Sequence, residues 1–167
     1  PIDVDGNLDL NAASTLDLQN FIHSFAGNIY NNTNSSIAGP LATVSLDADD
    51  ADQIIEASGT GSYSFNNLSI TINGASANRT KSFYTGSTIT INGGNLDILN
   101  IGGSAAIGLI VDLNDNAIGG TPNNITVGEY CQINTDLVDF GADVTDNFSG
   151  TRQFDVNSTV YYSLGTA

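Results

Sequence analysis

From Gly61 onward, apolar and polar residues alternate with a period of two. Tyr63, Phe65, Leu68, Ile70 and Ile72 are interleaved with Ser, Asn and Thr up to Asn73-Gly74, a dipeptide that favours a tight hairpin turn. Thr88-Ile89-Thr90-Ile91 repeats the pattern and stops at Asn92-Gly93-Gly94, and Leu96, Ile98 and Ile101 carry it to Gly102-Gly103. The stretch from Ala105 to Leu113 is nearly all apolar and predicts a central strand covered on both faces. Ile125-Thr126-Val127 and Tyr130-Cys131-Gln132-Ile133 predict short strands around Gly128, and Asp155 to Leu164 a last one. Ser69 to Gly74 and Ser87 to Gly93 are alike, but two copies read as hairpin strands, not as a solenoid repeat.

The first thirty residues differ in character. Asp3 to Leu10 alternates like a short strand, after which Leu18, Phe21, Ile22 and Phe25 fall at i, i+3, i+4 and i+7. That spacing predicts a helix over 15–26, capped by Ser14 or Thr15 and ended at Gly27-Asn28. The segment Asn31 to Gly39 is polar and predicts a loop, and Asp50 to Ala57 a second, weaker helical turn. The expected architecture is mainly β: an antiparallel β-sandwich or jelly-roll-like barrel with a short N-terminal helix. Residues 1–30 form an arm and helix, suited to packing on a neighbouring subunit, and 31–167 the sandwich body.

Composition supports a folded chain. Apolar residues make up 40% of the 167 positions and charged ones only 13%, so the surface is largely Asn, Ser, Thr and Gly. The acidic residues are sixteen Asp and two Glu against three cations, Arg79, Lys81 and Arg152, for a net charge of −15. Phosphate contacts need Lys and Arg, so nucleic acid is excluded as a partner. No apolar run approaches the length of a membrane span, so membrane insertion is not expected. A start at Pro1 and the lack of Met fit either a trimmed export signal or removal of an initiator Met.

Carboxylate and amide oxygens at alternate positions suit a hard cation, and Asp112-Leu113-Asn114-Asp115-Asn116 is the sharpest such pattern. It resembles the calcium-binding linker of cadherin repeats, and Asp47-Ala48-Asp49-Asp50 resembles a second element of that family. The resemblance stops there: the family's Leu-Asp-Arg-Glu element and early Glu ligand have no counterpart. Asp112, Asn114, Asp115, Asn116, Asp47 and Asp49 are therefore the candidate Ca2+ ligands. Asp3, Asp5, Asn7 and Asp9 resemble half of an EF-hand loop, but Ser14 stands where the bidentate Glu is required. Asp136, Asp139, Asp143 and Asp146 read as surface.

Catalytic groups are scarce. His23 is the only imidazole and reads as a helix-flank residue, and Cys131, the only thiol, reads as a buried small hydrophobe. No nucleophile motif accompanies either, so the chain is expected not to be an enzyme. Glycosylation sequons occur at Asn31, Asn34, Asn67, Asn78, Asn124, Asn147 and Asn157, which suits an exposed chain. These features point to a structural subunit of a repetitive assembly, an extracellular filament or a virion component. Its partners would be copies of itself or other structural subunits, joined through terminal segments and strand edges. The alternative is a calcium-dependent adhesion or carbohydrate-binding module, with Tyr63, Tyr84, Tyr130, Tyr161 or Tyr162 stacking on sugar rings. Location is expected to be extracellular or at the cell surface, alternatively in a virion.

Overall fold

Val4, Phe25, Leu46, Ile70, Ile98, Val127 and Phe154 stand in one row on seven neighbouring strands, each paired in parallel with the next. This row belongs to a computed structural model that describes residues 1–11, 13–31, 35–57, 62–84, 89–136, 141 and 144–162. The strands are β1 (Asp3–Val4), β2 (Leu8–Leu10), β3 (Thr15–Asp17), β4 (Ile22–Phe25), β5 (Ile29–Asn31), β6 (Ser36–Leu46), β7 (Gln53–Ala57), β8 (Ser62–Asn73) and β9 (Arg79–Tyr84). They continue as β10 (Ile89–Asn92), β11 (Asn95–Ile101), β12 (Leu109–Asp112), β13 (Ile118–Thr121), β14 (Asn124–Val127), β15 (Cys131–Thr135), β16 (Arg152–Phe154) and β17 (Thr159–Tyr162). The architecture is a parallel β-solenoid.

Three columns of strands enclose the core. The first holds β3, residues 36–39 of β6, residues 62–65 of β8, β10 and β13. The second holds β1, β4, the rest of β6 and β8, β11, β14 and β16. The third is a separate sheet in the order β17-β15-β12-β9-β7-β5-β2. Within each strand alternate side chains point inward, as in β8, where Tyr63, Phe65, Leu68, Ile70 and Ile72 are buried. Partners one coil apart are separated by 21 positions at Leu8 and Ile29 and by 30 at Ser82 and Asp112. Coils of such unequal length leave no fixed period in the sequence.

The corners are joined by short polar side chains. Asn28 Oδ1 accepts the Ile54 N–H at 2.8 Å, Asp52 Oδ1 the Thr80 N–H at 2.9 Å and Asn78 Oδ1 the Gly108 N–H at 2.7 Å, each one coil on. A second ladder runs through Asn67, Asn95 and Asn124: Asn67 Oδ1 accepts from Asn95 N–H and Asn95 Oδ1 from Asn124 Nδ2, both at 2.9 Å. Asn124 Oδ1 then accepts from Thr151 N–H at 2.7 Å. Corner amides turned out of the strand ladder thereby find acceptors. Asp and Asn have the reach for this, and of the aspartates Asp49 and Asp52 serve in this way.

Several expectations are corrected. The sheets are parallel, so neither an antiparallel sandwich nor a jelly-roll-like barrel forms. The segment expected as a helix, 15–26, is β3, a corner and β4. In β4 the period of two buries His23 and Phe25 and turns Ile22 outward, 70% exposed, so the helical spacing of apolar groups is coincidental. Asp50 to Ala57 likewise leads into β7, not a helical turn. Gly74 and Gly93, at φ +67° and +80°, turn corners between columns instead of closing hairpins. The two similar stretches occupy different columns, since Ile89 pairs with Tyr63 and Ile70 with Ile98. Ala105 and Ala106 are exposed and only Leu109–Asp112 of that apolar run is a strand. The segment expected as a last strand from Asp155 opens with a turn before β17, and Leu164 lies outside the described residues.

Candidate functional site

The third column carries the groups with chemical potential on both of its faces. Inward, Gln53 and Lys81 occupy one row on paired strands, followed by Val111, Ile133 and Val160. Lys81 is 0% exposed and its ammonium donates to the Ala48 carbonyl at 2.6 Å. Burial pushes its pKa down from 10.5 to about 8, against the opposing pull of Asp49, Asp47 and Asp52; the Arg79 charge adds to the lowering. Gln53 donates from Nε2 to the carbonyls of Phe25 and Gly27, at 2.6 and 2.7 Å. Ser24 donates its hydroxyl to Asp47 Oδ2. Two buried oxygens, Asp47 Oδ1 and Gln53 Oε1, are left without a partner. A cation thus sits inside the core against the Ala48 carbonyl of the preceding coil.

Asp47 and Asp49 thereby belong to the surroundings of Lys81. Asp49 also accepts the Asn73 N–H through Oδ1 at 2.7 Å. Asp112 lies at the opposite end of a third-column strand and in a later coil, so the two halves of the expected Ca2+ ligand set are not brought together. At the Asp112 corner, Asp112 Oδ1 accepts the Asn114 N–H at 3.2 Å. Asn114 and Asn116 both donate Nδ2 to the Phe83 carbonyl at 2.9 Å, and Asn116 also donates to Leu113. Asp115 is exposed. Among the described residues no three His, Cys, Asp or Glu are grouped as metal ligands.

His23 is a core residue, not a helix flank. The Ile2 N–H donates to Nδ1 at 3.1 Å, so Nε2 carries the ring proton and faces the Leu18 carbonyl at 2.8 Å. Cys131 is buried as expected, and burial pushes its thiol up to about 11. Asp136 and Asp146 are exposed, while Asp139 and Asp143 lie outside the described residues. Among the described residues the one ion pair between side chains is Arg152–Asp146 at 3.7 Å, on the surface.

Outward, the same column presents two parallel rows. One carries Ile54, Ser82, Asp112, Asn134 and Tyr161. The other carries Asp9, Tyr30, Glu56 and Tyr84. Asn28 Nδ2 donates to the Tyr30 hydroxyl at 2.9 Å from two positions back, which lays the ring along the strand. Of the tyrosines expected to stack on sugars, Tyr84 and Tyr161 are on this face and half-exposed. Tyr63 is buried, donates to the Glu56 carbonyl at 3.1 Å and has its pKa pushed up to about 12, chiefly by burial. Tyr130 lies on the corner before β15 and lines a polar cleft of about 220 Å³ with Asn78, Gln132 and Asn157. Tyr30 was missed because its partners in the row are 21 positions or more away.

In comparisons with known proteins, no family model matches the chain, and neither a curated protein nor a solved structure matches it significantly.

Proposed function

We propose that the chain is a structural, non-enzymatic building block of a repetitive assembly, an extracellular filament or a virion component, whose copies join end to end. The observation that carries this reading is the state of the terminal coils. At one end Val4 is half-buried, and at the other Phe154 is 38% exposed, although both stand on the row that is buried from Phe25 to Val127. Strands β1 and β2 at one end, and β16 and β17 at the other, are each paired along one edge only among the described residues. Parallel strands at open edges are templates for a further strand. A second copy set on the first in the same register would place its Val4 on Phe154 and extend the row. Burial of both His23 and Cys131 supports a non-catalytic role.

The test is light scattering and electron microscopy of the purified 167-residue chain, alone and with Phe154→Asp. Concentration-dependent oligomers that the substitution abolishes are expected. A wild-type chain that stays monomeric at high concentration overturns the proposal.

A further inference from the structure

Tyr30 and Tyr84 share one outward row with Glu56 between them, and we infer that this row is a binding strip for an extended, neutral, β-1,4-linked glycan lying along the solenoid axis. Register fixes the backbone spacing: Tyr30 pairs with Glu56 and Glu56 with Tyr84, so the two tyrosines spring from strands two inter-strand steps apart, about 9.5 Å. Alternate sugars of an extended β-1,4 chain present the same face and recur at about that distance. Each ring offers its electron-rich face to the C–H groups of a pyranose. The Tyr30 ring is already held along the strand by Asn28, so little rotamer freedom is lost on binding. Glu56 is exposed between the rings and accepts hydrogen bonds from sugar hydroxyls.

Charge narrows the ligand further. Asp9 and Glu56 share the row and no cation stands in it, on a chain of net charge −15. A polyuronate is repelled by that field, whereas a neutral chain is not. The inference is independent of end-to-end assembly, because the row lies on the side of the solenoid.

Calorimetry with cellohexaose and xylohexaose tests it, with maltohexaose, which curls, and polygalacturonate as comparisons. Binding of at least one β-1,4 hexaose is expected, weakened tenfold or more by Tyr30→Ala and by Tyr84→Ala, and retained by Tyr84→Phe. Tyr161→Ala, one row away, should change affinity less than twofold. If an alanine variant fails to fold, NMR of the wild-type tyrosine ring protons replaces it, and the Tyr30 and Tyr84 rings are expected to shift on titration. Binding of neither β-1,4 hexaose overturns the proposal. So does equal binding of maltohexaose or polygalacturonate, or binding that neither Tyr30 nor Tyr84 senses.

Discussion

Gln53 and Lys81 are paired neighbours on one inward row, yet they do not bond to each other: the ammonium donates to Ala48 and the carboxamide to Phe25 and Gly27. Lys81 therefore sets a charge in the core that is held by the Ala48 carbonyl, with Asp47, Asp49 and Asp52 near enough to favour it. Its consequence is a pH dependence of definite sign.

The folded pKa of Lys81, about 8, lies below its ordinary value of 10.5. Below about pH 8 both states are protonated and the full cost of burying the charge is present. As pH rises from 8 towards 10.5 the unfolded chain binds the extra proton, so this group's contribution to stability increases, by at most about 1.4 kcal/mol per pH unit. Denaturant melts at pH 7, 8 and 9 should show the gain, and Lys81→Met should remove it. The range stops at pH 9 because Cys131 and Tyr63, with pKa values of about 11 and 12, act in the opposite direction above their ordinary values. A wild-type slope identical to that of Lys81→Met would refute the assignment.

The asparagine ladder makes a second prediction. Asn124 donates to Asn95 and accepts from Thr151, so Asn124→Ala removes two inter-coil bonds and should cost about 1–3 kcal/mol. Asn124→Asp keeps the acceptor but turns a carboxylate oxygen towards Asn95 Oδ1. That variant should be destabilised at pH 7 and recover partly below about pH 4, where the carboxyl can donate. Thermal melts at the two pH values check both substitutions.

The same ladder shows what the sequence could and could not reveal. Alternation in β8, β10 and β11 was legible because an inward aliphatic and an outward polar residue are required by any half-buried strand. Parallel pairing was not, since the alternation is identical in a sandwich and coil lengths vary from 21 to 30 positions. The sequons at Asn67 and Asn124 follow from the same geometry: a ladder Asn, an inward Leu68 or Ile125, then an outward Ser69 or Thr126. The Asp excess was legible as a count, but the roles of Asp49 and Asp52 as corner acceptors were not, because the N–H groups they serve lie 24 and 28 positions away.

Two glycines separate steric from conformational requirements. A Cβ at Gly94 would lie 2.1 Å from the Asn66 carbonyl oxygen, on the neighbouring coil, so that corner closes only without a side chain. Gly74 has open space around it but φ of +67°. Gly74→Ala should cost about 1–2 kcal/mol, the ordinary penalty for a left-handed residue. Gly94→Ala should cost at least about 3 kcal/mol, because backbone must move. Equal losses in chemical denaturation would show that the coils separate more easily than the stacked corner implies.

Calcium provides the last test. Of the two ends of a carboxamide only the NH2 group can donate, so the bonds from Asn114 and Asn116 to the Phe83 carbonyl orient both amide nitrogens towards that atom. Asn116 is buried with its amide nitrogen on two carbonyls, and Asp47 and Asp49 are too distant in the fold to complete a shell begun at Asp112. Adding millimolar Ca2+ to EDTA-treated protein is therefore expected to leave the melting temperature unchanged. Saturable binding to a site with millimolar or tighter affinity would raise it through mass action. A rise that Asp112→Asn abolishes would show that the corner rearranges to bind the ion, and would restore Asp112 as a ligand.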